Sequence, residues 1–213
     1  MFEFKGKNNP KIVSPEGEVL KYYRTKSDLA DPDTFDHFVK QCEKKVRDDP
    51  RYKNYISELL QLGYTKDVFQ SEIDKMRFPN TKLEMHHGPL FTMYNICAIV
   101  TDHLLNTDNV VNTFEVAKIV LREHELGRIQ VVMGLTETNH QLVHNGDMFV
   151  HMNMAIGDVL GFIGDFRKGI LPEHLYTMEE YLQLCKKYEA TDNDFLLLRG
   201  AATLALQCVD KNK

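Results

Sequence analysis

Two short β-type runs interrupt an otherwise helical hydrophobic pattern, and they limit what this chain can fold into. Lys82-Leu83-Glu84-Met85-His86-His87 follows the turn signal Phe78-Pro79-Asn80 and stops at Gly88-Pro89. Ile129 to Met133 is a β-branched run just after Gly127. Runs this short need each other and a helical support to be stable. The flanking sequence supplies that support. Asp31-Pro32 opens a helix predicted over 33–47, with Phe35, Phe38, Val39, Cys42 and Val46 at three- and four-residue steps. Pro50 opens a second helix that stops at Gly63, and Thr65 to Met76 suggests a third. Between the two strands lie an apolar helix, Leu90 to Leu105, and a helix capped at Asn112 that runs to about Leu126. Thr136 caps a helix carrying His140 and His144 that ends near Asn145-Gly146, and Phe149-Val150 reads as one more short strand. Helices are predicted from Ala155 to Lys168, from a capping box at Thr177 to Glu180 through Tyr188, and from Asp194 to Cys208.

The expected fold class is therefore α+β, mainly α-helical, with a small hairpin-helix element embedded in a helical domain and a helical insertion between its two strands. Three regions follow: 1–77, an N-terminal arm (or small hairpin over 1–30) and helices; 78–153, the β-containing core with its insertion at 90–126; and 154–213, a C-terminal helical region. At 213 residues and 43% hydrophobic the chain buries enough surface to fold without staples. A metal ion here is thus expected to serve chemistry rather than folding. The four cysteines, Cys42, Cys97, Cys185 and Cys208, lie far apart without a C-x-x-C pair and read as reduced thiols. No export signal or membrane span is visible, which points to the cytoplasm, including a phage protein in its host. The net charge of −5 provides no global positive field to gather nucleic acid.

Nine histidines against no tryptophan is a skewed ratio, and four of them form two pairs. His140 and His144, four apart on a predicted helix, project from one face and can reach a single ion. His86 and His87 end a strand, where neighbouring side chains point to opposite faces. A strand ending in His-His, a second strand, and a helix with His-x-x-x-His resembles the HNH, or ββα-metal, nuclease family, and most nearly the nuclease colicins. The matching segments are Glu84 to Pro89 and Gly134 to Gly146. The resemblance implies that His86, His140 and His144 are metal ligands and that His87 is the general base that activates water. It also implies a divalent ion, with imidazole favouring Zn, Ni or Mn over Mg, and DNA as the partner whose phosphodiester bonds are hydrolysed. Three ligands leave a position open for a scissile phosphate.

Glu84, Gln130 and His151 are candidate supporting residues around these ligands. Glu84 could orient an imidazole through its second nitrogen. Gln130 is the polar residue nearest to Val131, which stands where the family usually has a bracing Asn. Residues 78–153 contain four Lys or Arg against eight Asp or Glu, so cationic contacts to DNA would come from Lys40, Lys44, Lys45, Arg47, Arg51 and Lys53 or from a protein partner supplying basic surface. The alternative is a catalytically degenerate metal-binding module that acts in protein interaction or nucleoprotein assembly, of phage origin. His37, His103, His124 and His174 read as ordinary surface or half-buried residues.

Overall fold

A computed structural model describes residues 22–64, 67–69 and 82–187. The first strand, β1 (Arg24–Thr25), precedes helices α1 (Pro32–Asp48) and α2 (Pro50–Gln61). Strand β2 (Leu83–His87) leads into α3 (Met93–Thr107), β3 (Val110–Val111) and α4 (Thr113–Glu125). Strand β4 (Val131–Thr136) runs into α5 (Glu137–His144), and α6 (Val159–Asp165) and α7 (Pro172–Lys187) follow. The described residues are mainly helical, with two small antiparallel sheets among them, β1 on β3 and β2 on β4.

Local chemistry sets the helix ends. Asp31 accepts from Thr34 N to start α1, and Asp49 accepts from Arg51 N to start α2 immediately after α1 ends. Thr92 and Asn95 form a reciprocal capping box, which starts α3 three residues after the expected Leu90. Leu90 and Phe91 are nonetheless buried in the lead-in. Helix α3 lies at the centre, with Ile99, Val100 and Cys97 fully enclosed, and α1, α4 and the short 3-10 turn Arg167–Gly169 pack against it. Cys42 and Cys97 are buried free thiols, as expected, and burial pushes the Cys42 thiol up to about 12. Among the described residues, no helix is long and apolar enough to cross a membrane.

The insertion has the expected place: β2 and β4 pair antiparallel although α3, β3 and α4 intervene. Leu83 faces Thr136 and Glu84 faces Leu135, whereas His86 faces Val132 and His87 faces Val131. A bulge at Met133-Gly134 therefore adds one residue to β4 and twists the ribbon. Glu84 and His86 share one face of β2, toward α5. Met85 and His87 share the other, toward the helical core.

Several expected boundaries differ. Phe149 and Val150 form no strand. The helix expected over 155–168 is broken, because Ile156 and Val131 exchange backbone hydrogen bonds at 2.9 Å in both directions. The chain turns at Gly157, where φ is +120° and a Cβ would lie 2.3 Å from the Ile129 carbonyl oxygen. Helix α6 then starts on an Asp158 cap. The expected capping box at 177–180 instead lies inside the continuous α7, where Thr177 Oγ1 donates back to Glu173 O. The helix expected at 194–208 and the arm or hairpin over 1–21 fall outside the described residues; of the helix expected at 65–76 only 67–69 are described, and they form a turn rather than a helix. Residues 24–25 pair with β3.

Candidate metal centre

The antiparallel pairing of β2 with β4 and the immediate start of α5 bring His86 to His140 and His144. One nitrogen from each of the three rings lies within 4.8 Å of the others. His140 Nε2 and His144 Nε2 are 3.1 Å apart, as one turn of α5 requires. Two imidazoles bound tetrahedrally to one ion at about 2.0–2.1 Å place their nitrogens about 3.3 Å apart, so this pair is already spaced for a shared cation. The His86 ring lies 4.8 Å from that of His144 and 5.3 Å from that of His140. Among the described residues its Nδ1 has no hydrogen-bond partner, a buried polar atom whose desolvation an ion would offset.

Protonation suits the same use. Burial, followed by the neighbouring His144 and His140, pushes His86 down to about 4. Burial also lowers His144. His86 and His144 are thus neutral at neutral pH and can offer lone pairs to an ion. Glu84 bears on one of the rings: its Oε2 accepts from His140 Nδ1 at 2.7 Å. That bond, helped by Lys82, lowers the Glu84 carboxyl. It also fixes the tautomer that turns His140 Nε2 toward His144. The group is graded in exposure from buried His86 to exposed His144, so its outer side meets solvent.

His87 is not brought to this group. Strand alternation sends it to the opposite face, where it is 5% exposed against the inserted helix. His124 Nδ1 donates to Val120 O at 2.8 Å, which leaves its Nε2 to accept from His87 Nε2 at 3.0 Å. The Tyr52 ring stacks on His87, with centroids 6.1 Å apart and planes 15° apart. His87 thus lies apart from the three rings, not beside them as expected of a base at the ion, and joins β2 to α4 and α2. Gln130 is also not at the group: its Nε2 donates to Met152 Sδ, and only its backbone oxygen reaches the site's edge, accepting from Gly88 N at 3.2 Å. His151 packs edge-on to Phe149 and does not belong to the three-histidine group.

The brace that Gln130 does not provide comes from a residue that sequence reading missed. Asp67, 3% exposed, accepts through Oδ2 from Thr136 N and from Asn139 Nδ2, the latter at 2.9 Å, and through Oδ1 from Phe69 N. It ties the bulge end of β4 to the first turn of α5, the helix that carries two of the three rings. No local motif marks it, because its partners lie 69 and 72 residues away. Asp67→Ala leaves these donors buried and unpaired. We expect a loss of about 2–4 kcal/mol in urea unfolding and of about 10–100-fold in ion affinity, the latter read by competition with a chromogenic chelator. Gly88→Ala tests the other end of the site. At φ +153° its Cβ would lie 3.0 Å from His86 Nε2. We expect about tenfold weaker ion binding and about 1–2 kcal/mol of strain; unchanged affinity would show that the His86 ring is not held in place from Gly88.

The fold and site define a mainly helical α+β protein with an inserted hairpin, a following helix, and three histidines in range to hold a metal ion. The sequence profile of the bacteriophage G278-like virion proteins matches residues 5–203, and the chain belongs to that family. No curated protein and no solved structure matches it. The expectation of a phage protein is met at that level.

Proposed function

We propose that this virion protein is a divalent-metal phosphodiester hydrolase of HNH type acting on DNA, with His86, His140 and His144 as ligands. The observation that carries the reading is the convergence of three imidazoles at a solvent-facing edge with no fourth protein ligand among the described residues. Structural metal sites are closed by four ligands, whereas sites that act on substrates keep a position open. A bound ion would supply charge stabilisation to a phosphodiester and acidify water beside it. The chain's own part is to hold the ion, to orient His140 through Glu84, and to keep α5 in place through Asp67. Transient residence in the host cytoplasm before packaging belongs to the same proposal.

A second reading is favoured by the enclosure of His87: a metal centre that binds without cutting and serves assembly of the particle. The two separate in one experiment. Purified protein is expected to carry one ion per chain by elemental analysis and to nick plasmid or single-stranded circular DNA with Mn²⁺ or Ni²⁺. EDTA and His144→Ala should abolish nicking. One bound ion without cleavage of any DNA would sink hydrolysis and leave the assembly reading. His87→Phe should retain both ion and cleavage; loss of cleavage alone would return the base to His87.

A further inference from the structure

A cleft of about 190 Å³ adjoins the three-histidine group, with His86 as a shared wall. Its other walls include Pro89, Val143, Met148, Phe149 and Leu184, and among the described residues no charged side chain lines it. We propose that this cleft receives one unpaired nucleobase of a nucleic-acid strand whose phosphate sits at the metal position, which makes the protein selective for single-stranded over duplex substrate. The inference rests on the metal-site reading above and adds the substrate class.

Three observations point this way. The cavity is smaller than the roughly 300–1,000 Å³ of ordinary small-molecule sites, so it suits one flat ring system rather than a whole cofactor. Its lining is more apolar than polar and includes the Phe149 ring, which lies 5.3 Å from that of Tyr181. Such a lining can pack a base, whereas it offers no cation to a second phosphate. Residues 78–153 also carry more acidic than basic groups, so a duplex recognised through its backbone would find few cations here. A base stacked inside a helix cannot enter a side cleft, whereas an unpaired one can, and aromatic contact serves any base because each has a π-face.

The test loads the full chain with Zn²⁺ and measures anisotropy of a short labelled single strand, the same strand as a duplex, and the same strand with abasic positions. A gel reads cutting in parallel. We expect the single strand to bind at least about tenfold tighter than the duplex, and the abasic strand to lose about tenfold. Leu184→Ser, at a side chain 41% exposed and so tolerant of change, should weaken single-strand binding by about threefold or more with one ion per chain retained. Phe149→Ala should do the same more strongly. One bound ion with equal affinity for single strand, duplex and abasic strand, or with no nucleic-acid binding, overturns this inference while leaving the metal site standing. Base-dependent binding without cutting supports it and overturns hydrolysis alone. A chain that binds no ion overturns both.

Discussion

His140→Ala is expected to remove the bound ion while leaving the fold intact. The ring is partly exposed, 21% at its side chain, so truncation opens no sealed cavity. It does remove the ligand that faces His144 at 3.1 Å and the group that Glu84 orients. In wild type, Zn²⁺ or Ni²⁺ at about 100 times its dissociation constant should stabilise the folded chain by about 2.7 kcal/mol. For a protein of this length that corresponds to a rise in Tm of about 5–10 °C. The variant should show no rise and near-zero stoichiometry by elemental analysis. His37→Ala, on an exposed face of α1 where His37 bonds Gln41, should behave as wild type. An unchanged metal-dependent rise in His140→Ala would mean that the ion sits elsewhere.

Acid should unfold the metal-free protein well above the usual carboxylate range. His124 is 1% exposed, and burial pushes it down to about 4 against an ordinary 6.5. Burial holds His87 well below its ordinary value, in the same direction. Between pH 6.5 and 4 the unfolded chain therefore takes up protons that the folded chain excludes. The stability contribution is complete above pH 6.5 and lost as pH falls toward 4. For His124 alone the shift corresponds to about 3 kcal/mol. Urea unfolding in EDTA should give midpoints that drop steadily from pH 7 to pH 4.5 with an unchanged slope. Replacing both rings by apolar groups, His87→Phe with His124→Leu, avoids an orphaned donor and should flatten much of this dependence. The remainder belongs to other buried rings such as His174, which burial also lowers. A midpoint independent of pH in wild type would refute the buried neutral pair.

What could be read from the sequence was what local periodicity and caps encode. Pro32 and Pro50 behind acidic caps, Asn112 before Phe114, and Thr136 before α5 each place a helix start to within a residue or two. The histidine spacing located three residues that do converge. Legibility failed where a distant partner overrides a local signal. Ile156 is recruited by Val131 out of an apparent helix, and Thr177 looks like a cap only until α7 is seen to continue through it. Asp67 and His124 act through partners 37 to 72 residues away, a separation that no window along the chain can span. His87 shows the opposite limit. Strand alternation gave its direction correctly, but only the packing of α2 and α4 shows that this direction leads into a closed interior.

The 53 residues between His86 and His140, more than half of them folded as α3 and α4, make the three-histidine group a product of the whole fold. The three rings lie far apart along an unfolded chain and meet only where β4 closes on β2. A cation held by all three would therefore bind the folded chain and not the unfolded one, and its uptake would report closure of the whole inserted body.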